Sequence, residues 1–159
     1  MTALGWAAAA LLASAAPAAG APSLAAWHGS WVGEGEAFGK PATATLEIAP
    51  GEGGATTLAY RLRIERTPPV TYSAEASYTV DAKGRVRGKW TDSTGRTRAI
   101  AGGVNAAKWW THWGSADVEI GRSTYVLKEG GRLLVSDSVL REDGSWHVFA
   151  VLRYTRKNP

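Results

Sequence analysis

The sequence predicts an all-β protein, a single antiparallel up-and-down β-barrel of about nine or ten strands. Three observations carry the prediction. Apolar residues return at every second position through most of the chain, as in Leu58, Tyr60, Leu62 and Ile64, the period of a strand with one face in an apolar interior. The alternating runs are separated by short polar turns containing glycine, the chemistry of hairpins. No stretch of useful length shows a helical period. A meander of this kind must close on itself or find a second sheet, because an open edge invites aggregation. Uniformly short turns favour closure, with a two-sheet sandwich as the competing arrangement.

The chain has 159 residues. Residues 1–21 read as a signal peptide. Leu4, Trp6, Leu11 and Leu12 lie in an alanine-rich apolar stretch, and Ala16-Pro17-Ala18 and Ala19-Gly20-Ala21 both have the small-x-small form of a cleavage site. Cleavage is expected between residues 18 and 22, preferably after Ala18, since Pro22 would follow the second site directly. The stretch is short for a membrane span, and no cysteine follows it to carry a lipid. The expected location is the periplasm or outside the cell, with residues 22–159 forming the barrel domain.

Pro22 to Ala26 is a short lead-in, read as a helical turn from Ser23, and Leu24 and Trp27 are placed to plug one end of a barrel. Trp31, Gly33 and Gly35 open the first strand. Glycines inside a strand suggest a bend, a bulge or close approach of another backbone. Phe38 ends that strand, and Ala42, Ala44, Leu46 and Ile48 form the inner face of the next. Thr56 to Arg66 is the clearest strand, closed by Pro68-Pro69, which a central ladder does not accommodate. Tyr72, Ala74, Ala76, Tyr78 and Val80 line the fourth. Arg85 to Asp92 and Arg96 to Val104 follow, joined at Asp92-Ser93-Thr94-Gly95, and Gly102-Gly103 is read as a bend before Lys108 to Gly114. Asp117 to Ile120 is a short strand or a loop. Arg122 to Lys128, Leu133 to Arg141 and Trp146 to Thr155 complete the chain.

Composition narrows the function classes. All lysines, arginines, aspartates and glutamates lie beyond residue 21, so the remainder is one ordinary domain able to bury a real core. The chain contains no cysteine, so packing alone must hold it, and seven of the eight tryptophans follow the leader. The net charge of +4 is mild, and the basic residues Arg61, Arg63, Arg66, Arg85, Arg87, Lys89, Arg96 and Arg98 are scattered through strands. That placement reads as solvent-facing and argues against a nucleic-acid groove, which needs a dense basic patch with exposed aromatics. A monomer or small homo-oligomer is expected.

A barrel of this size can enclose space that side chains do not fill. Tyr60, Tyr72, Tyr78, Trp90, Trp109 and Trp113 are the inward aromatic candidates for contact with a small apolar or amphipathic ligand. The competing reading is a filled barrel that acts as an interaction module. In Lys108-Trp109-Trp110-Thr111-His112-Trp113, alternation sends Trp109, Thr111 and Trp113 to one face and Trp110 and His112 to the other. An outward tryptophan packs under a loop or meets a partner. Both faces of Leu133 to Arg141 carry apolar residues, so the register there is open; if Leu134, Ser136, Ser138 and Leu140 face outward, Asp137, between Val135 and Val139, is an inward carboxylate that needs a partner, with arginine the natural one. Asp92 is the other carboxylate of interest.

No catalytic constellation stands out, and an enzyme here would have to use a barrel-mouth carboxylate with a histidine. His28, His112 and His147 lack the spacing of a local metal motif, and no metal site is assigned. No cofactor is expected. Haem is the minor alternative, since it asks only for one inward imidazole, His147 or His112, and a large apolar pocket.

Trp31-x-Gly33-x-Gly35 with Phe38-Gly39-x-Pro41, then Arg122-x-x-Tyr125, Asp137-Ser138-Val139 and Asp143-Gly144-Ser145-Trp146 with Phe149, resemble bacterial lipocalin-like or calycin-like barrels of the DUF1579 type. The resemblance spans the whole mature domain and implies that the glycine–tryptophan opening is the first barrel strand. It implies no particular reaction. The opening more distantly resembles nitrobindin, a haem-binding barrel whose iron-binding histidine lies near the C-terminal strand. Only His147 stands in that region here, and the central segments differ.

Overall fold

The computed structural model describes residues 20–115 and 119–157. All but the last two residues of the expected leader fall outside that range, as do Asp117 and its neighbours at 116 and 118. Among the described residues the chain forms ten strands: β1 (Gly29–Ala37), β2 (Lys40–Pro50), β3 (Thr56–Ile64), β4 (Val70–Val80), β5 (Arg85–Asp92), β6 (Thr97–Val104), β7 (Lys108–Ser115), β8 (Glu119–Lys128), β9 (Arg132–Leu140) and β10 (Trp146–Arg156). Each pairs antiparallel with the next, and β1 pairs with β10, so the sheet is a closed barrel. Closure leaves no strand edge unpaired, and a two-sheet sandwich is ruled out.

Alternation sets the inner face. On β3, Thr56, Leu58, Tyr60, Leu62 and Ile64 are buried, while Thr57, Arg61 and Arg63 face solvent. On β2 the small Ala42 and Ala44 stand opposite Gly35 and Gly33 of β1. The glycines are there for space. A Cβ on Gly35 would lie 2.1 Å from the Val151 carbonyl oxygen of β10, and one on Gly33 would lie 2.5 Å from the Tyr154 ring. Close backbone approach, one of the reasons expected for these glycines, is what the barrel uses.

One end is sealed. A short 3₁₀ turn, Ala25–Trp27, drops Leu24 and Trp27 into the barrel, each 1% exposed. Trp27 meets Trp109 edge-on at 6.3 Å, Trp109 stacks on Tyr125 at 4.2 Å, and Tyr78 packs its edge against Trp109 at 4.9 Å. Trp31 is fully buried, and its indole N–H donates to the Trp27 carbonyl at 3.0 Å. Arg156, near the end of the chain, lays its guanidinium 4.3 Å over the Trp31 ring and donates to the carbonyls of Ala26 and His28. The plug is thus fastened to both ends of the sheet.

Two local readings are corrected. Gly102 and Gly103 lie inside β6 rather than at a bend. A Cβ on Gly103 would fall 2.4 Å from the Trp110 ring, so the outward Trp110 covers its neighbouring strand and needs no loop above it. Simple alternation also fails in β10, where a bulge between Val148 and Ala150 breaks the register. Val148 then faces solvent, while both Phe149 and Ala150 reach the interior.

Candidate functional site

The other half of the barrel is hollow. A cavity of about 350 Å³ opens toward the end that carries the turns after β1, β3, β5, β7 and β9. That volume falls in the range of small-molecule sites, roughly 300–1,000 Å³. Its apolar wall includes Leu46, Leu62, Ile64, Ile100, Val135 and Ala150, and its aromatic surface comes from Tyr60, Tyr72, Trp90, Trp113, Tyr125 and Tyr154. Phe38 and Phe149 stack at 4.8 Å on the rim. Of the residues expected to line a pocket, Tyr60, Tyr72, Trp90, Trp113 and Asp137 do so. Tyr78 and Trp109 are not among its lining residues. They belong to the aromatic plug, because their inward positions fall at the sealed end of β4 and β7.

Polar groups enter this apolar wall in two connected sets. The first sits at the mouth. Asp92 ends β5, with a side chain only 3% exposed, and its Oδ2 accepts from Arg98 Nη1 of β6 at 2.6 Å. Its Oδ1 accepts from the backbone N–H of Thr94 at 2.9 Å and the Thr94 hydroxyl at 2.5 Å, so the carboxylate also builds the β5–β6 turn. The Tyr72 hydroxyl donates to Asp92 Oδ2 at 3.5 Å and accepts from the Trp90 indole N–H at 3.0 Å. Burial alone would raise the Asp92 carboxyl. The hydrogen bonds from Thr94, Arg98 and Arg96 outweigh it and hold Asp92 far below the usual carboxylate range.

The second set follows one row of the sheet. Thr111 of β7, Ser123 of β8, Asp137 of β9 and Ala150 of β10 stand side by side in register. The Ser123 hydroxyl donates to Asp137 Oδ1 at 2.6 Å and accepts from the Trp113 indole N–H at 3.1 Å. Gly121 makes this possible: a Cβ there would lie 2.0 Å from the Trp113 ring, so the indole lies flat across its neighbour. Arg98 bridges the two sets, its guanidinium 5.8 Å from the Trp113 ring centroid.

Asp137 is not paired with arginine, contrary to expectation. The ion pairs among the described residues are Arg63–Glu65, Arg85–Asp81 and Arg98–Asp92. Arg98 does not face solvent as its strand placement suggests: it shares its parity with the buried Ile100 and is taken by Asp92. Burial pushes the Asp137 carboxyl up to about 6, with the Ser123 hydrogen bond opposing. The tyrosines around it are driven upward, chiefly by burial: Tyr60, Tyr125 and Tyr154 all remain neutral at ordinary pH. The Tyr154 hydroxyl is buried beside that of Tyr60 but makes no hydrogen bond of ordinary length to the described residues.

The histidines stand elsewhere. His112 and His147 are exposed on the outside of the barrel, with His112 6.0 Å from the Trp146 ring. His28 lies near the plug, its Nε2 3.2 Å from the Thr56 hydroxyl. No histidine lines the cavity. The residues therefore do not fit haem held by His147 or His112, nor a carboxylate–histidine pair at the mouth. Strand parity places both imidazoles outward and leaves them there.

Tyr154, Ser123 and Arg98 are the site residues that sequence reasoning passed over. Parity with Leu152, Tyr125 and Ile100 was the available signal for each. No protein-family model matches the chain, and a search of curated proteins finds none similar to it.

Proposed function

We propose that this protein is a calycin-like carrier that holds one small amphipathic molecule in the barrel interior. The observation that carries the reading is the half-hollow core. A sealed aromatic end leaves a cavity of about 350 Å³ whose apolar wall contains an unpartnered Tyr154 hydroxyl and the Asp137 carboxyl. A barrel selected only for stability would fill that space, because buried polar groups without partners cost free energy. Binding rather than turnover is the proposed role. The apolar leader supports export, with action in the periplasm or outside the cell.

The test is native mass spectrometry of gently purified protein, followed by titration with an environment-sensitive apolar dye. A reproducible extra mass or saturable dye binding is expected, and Ala150→Trp, which fills the cavity, should abolish both while circular dichroism stays that of a β-barrel. A bare mass together with dye binding that survives Ala150→Trp would overturn the reading.

A further inference from the structure

The inference rests on the cavity being a ligand site and concerns the chemistry of the ligand. We propose that the polar end of the ligand is a protonated amine, which pairs with Asp137 and donates to the Tyr154 hydroxyl while its apolar body lies among the aromatic side chains.

The two aspartates of the cavity differ in the partners they already hold. Asp92 is saturated, with Arg98, Thr94 and Tyr72 around its two oxygens. Asp137 has one donor, Ser123, on Oδ1, and its Oδ2 accepts no hydrogen bond from the described residues. No cation of the described residues comes within ion-pair distance of it: of the two arginines that line the cavity, Arg98 is committed to Asp92, and Arg96 stands exposed at the mouth on the β5–β6 turn. A carboxylate enclosed in apolar surroundings gains most from a ligand that brings the missing positive charge. The surroundings suit one: the rings of Tyr60, Tyr125, Tyr154 and Trp113 line the same space, and aromatic faces attract a cation. The Tyr154 hydroxyl is the independent observation: it is buried on the cavity wall, makes no hydrogen bond of ordinary length to the described residues, and has the Tyr60 hydroxyl as its polar neighbour. An ammonium, with three donors, can serve Asp137 and Tyr154 together. A carboxylate ligand would meet Asp137 with like charge.

The groups that bear on Asp137 are Tyr60 of β3, Tyr78 of β4, Tyr125 of β8 and Tyr154 of β10, all held neutral, and Ser123 beside it. The ion pair Asp92–Arg98, Arg96 at the mouth and Glu119 on the rim complete the charged lining. None of these places a cation within ion-pair distance of Asp137. Affinity for an amine should therefore follow ionisation of Asp137 and fall as pH drops through about 6.

The experiment is calorimetric titration of the full chain with three probes of one shape: 2-phenylethylamine, 2-phenylethanol and 3-phenylpropanoate. At about pH 7.5 the amine is expected to bind at least about tenfold more tightly than the alcohol, with the carboxylate weakest. Its affinity should fall about tenfold by pH 5, and Asp137→Asn should remove the preference for the amine. Asn retains the shape and an acceptor for Ser123, and circular dichroism verifies its fold. If the alcohol binds as well as the amine, or binds better at pH 5, and Asp137→Asn leaves the order unchanged, the ammonium assignment is overturned while the cavity reading stands. If no probe binds and the apolar dye also fails, the cavity reading falls and takes this inference with it.

Discussion

Asp92 and Asp137 show how two carboxylates on one inner surface acquire opposite properties. Asp92 sits at a turn, where backbone N–H groups, a hydroxyl and Arg98 favour its charge. Its folded pKa lies below that of the unfolded chain. It therefore contributes stability that is complete above about pH 4 and is lost as pH falls through the folded value. Arg98→Met should leave that carboxylate buried without its cation, lowering stability by about 3 kcal/mol in urea unfolding at neutral pH. A loss below about 0.5 kcal/mol would mean that the turn alone satisfies Asp92. Asp137 has the reverse sign. Its folded pKa of about 6 lies above the unfolded value, so the barrel loses stability as pH rises from about 4 through 6 and no more beyond. Asp137→Asn should thus stabilise the ligand-free protein by about 3 kcal/mol at pH 7.5, with the gain vanishing near pH 3. Thermal unfolding of both proteins across that range gives the answer, and an unchanged difference at all pH values would refute it. A residue that costs stability where it stands is better explained by what it binds.

At the scale of elements, β1 and the lead-in turn carry the most consequence. Trp31 is fully buried and holds the plug through the Trp27 carbonyl. Trp31→Ala should cost about 4 kcal/mol by cavity formation, measured by chemical denaturation. An unchanged midpoint would place Trp31 outside the core. Gly35→Ala forces a methyl group into the β10 backbone at Val151 and should cost about 2 kcal/mol through overpacking, whereas alanine at Gly39, which meets nothing within 4 Å, brings only the strain of its positive φ. The β1–β2 turn holds a second device. Phe38 takes a positive φ of 52°, unusual for a bulky residue, and its ring stacks on Phe149 at the cavity rim. The residue at the tip of this hairpin is thus fixed by a neighbour on β10 that local turn chemistry would not select.

For the molecule as a whole, closure through β1–β10 couples the first strand to the last. Pairing between the chain ends makes the fold strongly non-local, which slows folding but binds the sheet into one unit. Unfolding followed by tryptophan fluorescence and by far-ultraviolet circular dichroism should therefore trace the same transition. Separate midpoints would show that the plugged and hollow halves come apart independently. The asymmetry between those halves is also a property of the whole. At one end Trp27 meets Trp109, which packs on Tyr78 and Tyr125, while at the other the aromatic and polar side chains stand around an open space.

The strand pattern, the turns, the plug of Leu24 and Trp27 and the inward aromatics were legible in the sequence, because period-two alternation and glycine-bearing turns are local. So was the interest of Asp92 and Asp137, since a carboxylate at an inward position is costly wherever the strand lies. What local pattern does not contain is depth along the barrel and partnership across it. Tyr78 and Trp109 have the same inward parity as Tyr72 and Trp113, and only the register of neighbouring strands sends one pair into the plug and the other to the cavity. Arg98 lay open to parity but not to pairing, for its partner is set by the β5–β6 turn. The bulge in β10 brings Phe149 inward beside Ala150, which simple alternation along the strand would not do. The sequence by itself determined an antiparallel meander with aromatic side chains on its inner face and favoured its closure into a barrel. The tertiary structure decided which end is sealed and which carboxylate is left without a cation, because both follow from contacts between strands that are distant in sequence.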